Sequence, residues 1–237
     1  MSAHFDLRNY HKFNDTICRF EAFTQTPTVI ENQNNKIQTF VYLNLSKINR
    51  HFMEGTFEAG IAEIPQIEEK LTEYELYLDR HRVLVFYYKF ASLYFGAGKY
   101  STSIDYLNKV IDLKGDLRTD LRCYARLLHL IAHYELGNFE ILEYLLKSVT
   151  RFMAKMENLG LAETEIFSFL KRSFRLQPNE LKPAFIKLLD NLKAIEKDKL
   201  ASRAFMYLDV ISWLESKIEG KEVQDIIRDK YLRSINK

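Results

Sequence analysis

The chain contains few of the residues that interrupt helices or cross-link a fold. Its 237 residues include only 4 prolines, 8 glycines and 2 cysteines. Such scarcity disfavours a many-stranded β-sandwich and suits long helices joined by short turns. Cys18 and Cys123 are far apart and form no CxxC pair, so a disulfide framework is not expected. We predict that both are reduced, buried side chains, consistent with the cytoplasm.

Net charge and long apolar runs are also nearly absent. The formal net charge is +2, from 34 basic and 32 acidic residues, which lacks the basic excess typical of a nucleic-acid binder. An aromatic content of 14% could serve base stacking, but most aromatics recur at helical spacing, which indicates core. No apolar run reaches the roughly 18 residues of a membrane span, and the N-terminus lacks a signal-peptide layout. We therefore predict a cytoplasmic protein without nucleic acid or membrane partners.

One pattern, a glycine followed two residues later by an aromatic residue, occurs three times. It reads Gly55-Thr-Phe57, Gly98-Lys-Tyr100 and Gly137-Asn-Phe139, and the glycines are 43 and 39 residues apart. Small or apolar residues follow at matched offsets: Gly60, Ile64 and Ile67; Ser103, Leu107 and Val110; Leu142, Leu146 and Val149. Self-similarity at about 34–47 residues with helical periodicity is typical of stacked helical hairpins.

Apolar periodicity predicts an all-α fold of about eleven helices, and no segment alternates with a period of two. Asp79 is a candidate N-cap, and Gly55 a helix terminator. Turns this short require consecutive helices to lie antiparallel. The predicted helices cover 5–23, 30–53, 56–77, 80–97, 100–113, 118–136, 138–157, 162–175, 180–196, 198–218 and 222–234.

The three units resemble the tetratricopeptide repeat, most closely over 84–117. Tyr87, Phe90, Ala91 and Tyr94 match the positions of the family's helix A, and Ser103, Leu107 and Val110 match helix B. Two features depart from the family: the flanking units have one residue fewer between the helix A aromatic and the glycine, and Leu142 replaces a small residue. The end of the chain is similar to the ends of some bacterial tetratricopeptide-like proteins.

The resemblance implies a right-handed α-solenoid of antiparallel helical hairpins. In that arrangement residues 1–30 form an N-terminal helix that is a truncated or capping half-repeat. Residues 31–160 form three hairpins, and 161–237 form divergent hairpins and a C-terminal cap. The chain is either complete or part of a longer protein.

The resemblance also implies a groove, lined by helix A, that binds a protein or peptide. Arg50 would anchor a carboxylate or a backbone carbonyl through its planar fork of donors, and Tyr88 and Phe95 would be aromatic contacts. Two alternatives stay open: the end hairpins cover the groove, or Phe95 and Leu128 belong to the core. The groove residues are Ser46, Arg50, Tyr88, Ser92, Phe95, Leu128, Ala132 and Glu135.

No constellation of residues predicts catalysis, a cofactor or a metal. His129 and His133 are four residues apart, a spacing that can chelate a metal, but no third ligand or adjacent glutamate accompanies them. Cys123 and His129 point in different directions on one predicted helix, so they do not form a nucleophile–base pair. We expect a non-enzymatic scaffold. The alternatives are a regulatory module that senses a small ligand or peptide and, third, a hydrolase or metal enzyme.

Overall fold

Every regular element that the computed structural model describes is an α-helix, which confirms the all-α prediction. The structure describes residues 2–112, 118–157, 159–197 and 209–235, and thirteen helices lie within them. They are α1 Ser2–Asp6, α2 Tyr10–Thr24, α3 Pro27–Ile30, α4 Gln33–Glu54, α5 Phe57–Glu73, α6 Arg80–Gly96, α7 Tyr100–Ile111, α8 Thr119–Glu135, α9 Phe139–Lys155, α10 Leu161–Ser173, α11 Pro178–Glu196, α12 Val210–Glu219 and α13 Val223–Ile235.

The two helices beyond the predicted eleven lie near the N-terminus. Arg8 has a φ of 49°, and Asn9 caps α2 by accepting a hydrogen bond from Lys12 N, so the helix predicted over 5–23 is divided. Pro27 then opens α3, because proline is preorganised for the first position of a helix. Asp79 caps α6 through Arg82 N, as predicted. The predicted helix over 198–218 is seen from Val210 onward; residues 198–208 lie outside the described residues.

The three signature glycines form equivalent turns. Gly55, Gly98 and Gly137 have φ values of 67°, 72° and 69°, in the left-handed region where glycine carries no steric penalty. In each turn the residue after the glycine donates a backbone hydrogen bond to the carbonyl of the residue four positions before the glycine. The bonds are Thr56 to His51 at 3.1 Å, Lys99 to Tyr94 at 2.8 Å and Asn138 to His133 at 3.0 Å; the turn at Gly220 repeats them, with Lys221 to Ser216 at 3.1 Å.

These hydrogen bonds align the repeats differently from the sequence pattern. They place His51 and His133 at the position that Tyr94 occupies in the middle unit. The flanking units therefore have as many residues before the glycine as the middle unit, with a histidine where the middle unit has Tyr94. In the first unit a Cβ atom at Gly60 would lie only 3.0 Å from His51 Cγ, so the imidazole packs directly on this glycine.

Most buried side chains belong to one continuous core. It extends from Ile37 on α4 to Ile227 on α13 and includes Trp213, which is 1% exposed. A smaller cluster joins α2 to α4 through Phe13, Ile17 and Met53. Because residues of α12 and α13 share the main core, these helices are an integral part of the fold.

The two cysteines differ in exposure. Cys123 on α8 is buried, as predicted, but Cys18 on α2 is exposed, so the prediction of burial was wrong for Cys18. The reason is that α2 buries only Phe13 and Ile17, four residues apart on one face. Cys18 follows Ile17 directly and points away from that face.

The last two helices return to the first ones. We call α12 and α13 together the C-terminal hairpin. Arg228 on α13 donates a hydrogen bond of 3.1 Å to the carbonyl of Glu54, and a Cβ atom at Gly55 would lie 2.5 Å from Arg228 N. The rings of Tyr231 and Tyr10 meet edge to face at 5.0 Å. The C-terminal hairpin thus contacts both the first glycine turn and α2.

Candidate functional site

The predicted groove positions are largely covered. Ser46 and Ser92 donate their hydroxyl hydrogens to Tyr42 O at 2.7 Å and Tyr88 O at 2.9 Å, within their own helices. Arg50 and Ser92 are half-buried. The exposed fractions of the others are 7% for Ser46, 4% for Tyr88, 4% for Phe95, 0% for Leu128, 0% for Ala132 and, for its side chain, 5% for Glu135.

The C-terminal hairpin reaches these positions through Glu135, the last residue of α8. Trp213 donates its indole hydrogen to Glu135 Oε1 at 2.7 Å, and Lys217 Nζ lies 2.5 Å from Oε2. A buried carboxylate is tolerated only when it is paired and hydrogen-bonded. Both oxygens of Glu135 are satisfied by α12, so this helix and the carboxylate depend on each other.

Tyr100, the aromatic residue after Gly98 in the middle repeat unit, senses the same carboxylate. Burial, followed by the negative charges of Glu135 and Glu222, raises the pKa of Tyr100, so the phenol stays protonated. Glu222 belongs to the C-terminal hairpin, and a Cβ atom at Gly98 would lie 3.1 Å from its Oε2.

An aromatic cluster holds the indole ring of Trp213. Its centroid lies 6.3 Å from that of Tyr134 and 6.0 Å from that of Phe185, with interplanar angles of 87° and 89°. Phe169 extends the cluster, with its ring 5.0 Å from Phe185 and 6.1 Å from Tyr134. Edge-to-face pairs of this kind are favourable beyond the area they bury, so Trp213 is the apolar anchor of the C-terminal hairpin.

Ion pairs fasten the hairpin on its other side. Glu215 on α12 pairs with Lys193 of α11 at 2.9 Å and with Lys230 of α13 at 2.6 Å. Burial acts to raise the pKa of Glu215, but hydrogen bonds from Lys230 and Lys193 outweigh it and leave the pKa below its usual value. Lys230 also donates to Ser212 Oγ at 2.8 Å. The carboxylate of Glu215 thus joins three helices.

The two histidines of α8 form a pair. His133 Nε2 lies 3.3 Å from His129 Nε2, and His133 Nδ1 lies 3.1 Å from the amide nitrogen of Asn138. Burial, aided by the neighbouring His133 and Arg126, lowers the pKa of His129 to about 4. The described residues contain no group of three or more histidine, cysteine, aspartate or glutamate side chains that could hold a metal ion.

Lys89 on α6 is an unusual residue that the sequence reasoning missed. Its ammonium group donates to Asn49 Oδ1 at 2.5 Å and lies 5.1 Å from the ring centroid of Phe52. Burial lowers its pKa to about 8. The signal was present, because Lys89 is the only charged residue between Val83 and Phe95 in an otherwise apolar and aromatic helix.

Comparison of the chain with protein-family models, with curated proteins and with solved structures gave no match in any of the three. The likeness to the tetratricopeptide repeat rests on the residues and glycine turns described above. No helix in the described parts of the chain has the length and apolar character needed to cross a lipid bilayer.

Proposed function

We propose that the chain is a non-enzymatic, cytoplasmic scaffold that binds a helical segment of a protein partner at the predicted groove. Its hairpins stack as a right-handed, tetratricopeptide-like solenoid. One observation carries the proposal: Glu135, at the end of the predicted groove, already holds a helix of the chain itself, α12, through Trp213 and Lys217. Docking of an amphipathic helix into an apolar groove is a common mode of peptide recognition.

The contacts of α12 have the character of a binding hot spot. Trp213 lies within an aromatic cluster and is 1% exposed. Lys217, whose side chain is 30% exposed, pairs with the nearly buried Glu135. Tryptophan anchors in desolvated pockets dominate the energetics of many interfaces. A partner helix with a matching aromatic residue and cation would find the same contacts.

The C-terminal hairpin also favours the second function, a regulatory module that responds to a peptide or small ligand. A site occupied by the chain's own helix is available to a partner only in the fraction of molecules that release it, and this lowers the apparent affinity by that fraction. Any ligand that favours release therefore raises affinity for the partner. The scaffold and regulatory functions therefore both follow from competition between α12 and a partner helix for the same site.

The α12 segment supplied as a separate peptide tests the proposal. A fluorescein-labelled peptide of residues 209–220 is titrated with the full chain and with its Lys217→Glu variant, which weakens the internal contact to Glu135. We expect the variant to bind the peptide at least about tenfold more tightly than the unaltered chain, corresponding to about 1.4 kcal/mol. A peptide carrying Trp213→Ala should not bind either protein.

The matched control is Lys147→Glu, which makes the same charge change at an exposed pair with Glu143 on α9. It should leave peptide binding unchanged. Hydrogen exchange of the α12 amides reports whether Lys217→Glu has released the helix. If exchange shows release and the peptide still fails to bind, the surface is part of the folded core and does not bind a partner helix.

A further inference from the structure

A pocket opens between α10 and α11. Its volume is about 200 Å³, and it is lined by Phe169, Arg172, Leu176, Pro183, Ala184 and Lys187. Binding sites for small molecules usually enclose roughly 300–1,000 Å³. The pocket is therefore sized for a single side chain of a larger partner.

The floor and walls of the pocket are apolar and firmly held. Phe169 is 0% exposed, and its ring packs against Phe185 at 5.0 Å in the cluster that also holds Trp213. Pro183 forms part of the wall and has no backbone N–H to offer a ligand. These features suit an aliphatic side chain, which requires no hydrogen-bond partner.

Two cations stand at the rim. Arg172 and Lys187 are both exposed, and within the described ranges neither side chain makes a hydrogen bond or ion pair with another residue. By contrast, Lys193, further along α11, is paired with Glu215 at 2.9 Å. Arg172 and Lys187 therefore have their charge available for a ligand.

The surrounding sequence strengthens the positive potential. Residues 171–187 contain five cations and one carboxylate, that of Glu180. Glu180 accepts a hydrogen bond of 2.8 Å from Gln177 N, so it caps the start of α11. A surface with an excess of one sign of charge attracts ligands of the opposite sign and speeds their association.

We propose that the α10–α11 pocket docks an acidic peptide segment. One aliphatic side chain of the peptide inserts between Leu176 and Pro183, and carboxylates on either side of it pair with Arg172 and Lys187. A peptide is favoured over single-stranded nucleic acid because Phe169 is fully buried and offers no exposed ring on which a base could stack. The inference extends the proposed scaffold function with a second site, which uses neither Glu135 nor α12.

The test uses the full chain and a short fluorescein-labelled peptide in which one leucine is flanked on both sides by aspartate and glutamate. Fluorescence anisotropy measures its affinity for the unaltered chain and for the double variant Arg172→Glu, Lys187→Glu. We expect the double variant to lose at least about tenfold in affinity. A peptide with serine in place of leucine should bind similarly weakly to the unaltered chain, and the amide resonance of Ala184 should shift only with the leucine peptide.

The control double variant is Lys171→Glu, Lys182→Glu, which changes the charge equally at exposed residues outside the pocket lining. It should retain affinity within about threefold. Equal losses in both double variants, or equal binding of the leucine and serine peptides, would reduce the effect to nonspecific charge attraction and overturn the inference. If a labelled oligouridylate bound more tightly than the peptide and depended on the same residues, the pocket would be an RNA site and the peptide proposal would be wrong. Binding of the α12 peptide at Glu135 is measured separately and does not depend on these outcomes.

Discussion

The indole nitrogen of Trp213 lies 2.7 Å from the carboxylate of Glu135, 78 residues away in the sequence. The same carboxylate also pairs with Lys217. Glu135 thus joins the C-terminal hairpin to the third repeat unit. The arrangement explains how a position predicted to face a groove comes to be nearly buried.

Replacing Glu135 with glutamine tests this junction. The amide keeps an acceptor for Trp213 but removes the negative charge that pairs with Lys217, so we expect a loss of about 1–3 kcal/mol in the free energy of unfolding. Urea denaturation monitored by Trp213 fluorescence measures it. The control is Glu219→Gln, whose pair with Lys221 is exposed and should contribute less than about 1 kcal/mol. Equal effects of the two substitutions would contradict a structural role for the buried pair.

The glycine turns provide a matched pair of substitutions. Gly55 and Gly220 both have a φ of 67°, so alanine at either position costs about 1–2 kcal/mol of backbone strain. At Gly55 the added Cβ would also lie 2.5 Å from Arg228 N and 2.7 Å from Gln224 O, whereas at Gly220 no atom lies within 4 Å. We therefore expect Gly55→Ala to be clearly more destabilising than Gly220→Ala in urea denaturation. Equal losses would mean that α13 does not rest on the first turn.

Local features of the fold were predictable from the sequence because they depend on local physics. The left-handed glycines, the Asp79 cap and the helical periodicity are each specified by a few neighbouring residues. The N-terminal helix was harder to predict, because it is divided at Arg8 and α2 buries only Phe13 and Ile17. The rest of its apolar face is less covered because few elements pack against α2.

The alignment of the repeats shows a second limit of sequence reasoning. The last aromatic residues before the glycine in the flanking units are Phe52 and Tyr134, one residue nearer to it than Tyr94 is in the middle unit. The backbone hydrogen bonds instead pair His51 and His133 with the position of Tyr94. An imidazole can fill the space of a phenol ring and still hydrogen-bond, as His51 does with Thr56 Oγ1 at 2.7 Å. Pattern matching by hydrophobicity therefore shifted the register by one residue.

The covering of the candidate site depends on long-range contacts that the sequence does not display. Glu135 and Trp213 are far apart in the chain, and no periodicity connects them. The sequence left open whether the terminal hairpins cover the groove. In the structure, α13 covers the first glycine turn through its contacts with Glu54 and Gly55. That the groove residues bind a partner stays a prediction.

Lys89 should reduce stability at neutral pH. Its pKa is about 8, below the ordinary 10.5, so between these values the unfolded chain binds more protons and stability rises with pH. Below pH 8 the full cost of the half-buried charge is present. Lys89→Met should therefore raise the free energy of unfolding at pH 7 by about 2–3 kcal/mol. The contribution of the lost hydrogen bond to Asn49 is to be subtracted from this gain. The control Lys36→Met, at an exposed position of α4, should change stability by less than about 0.5 kcal/mol.

The test of Lys89 compares urea denaturation at pH 7 and at pH 10. The advantage of the methionine variant should shrink at the higher pH, because the lysine of the unaltered protein is then neutral in the folded state. An advantage that is the same at both pH values would indicate improved packing of the methionine side chain instead of removal of a buried charge.

His129 should make the protein sensitive to mild acid. Its pKa falls from the ordinary 6.5 to about 4 through burial and the nearby His133 and Arg126. Between these values the unfolded chain binds the proton and the folded chain does not, so unfolding is increasingly favoured as the pH falls. The stabilisation is complete above pH 6.5 and declines to its minimum near pH 4. The difference corresponds to about 3 kcal/mol.

His129→Gln removes this titration while keeping a polar group beside His133 Nε2. In urea denaturation at pH 7 and at pH 4.5, the variant should lose about 2–3 kcal/mol less than the unaltered chain over the same interval. The control His81→Gln, on the half-exposed first turn of α6, should follow the unaltered chain. If all three proteins lose the same free energy of unfolding between pH 7 and pH 4.5, the acid sensitivity comes from groups other than His129. A buried neutral imidazole at position 129 requires the His129→Gln variant to lose less than the other two.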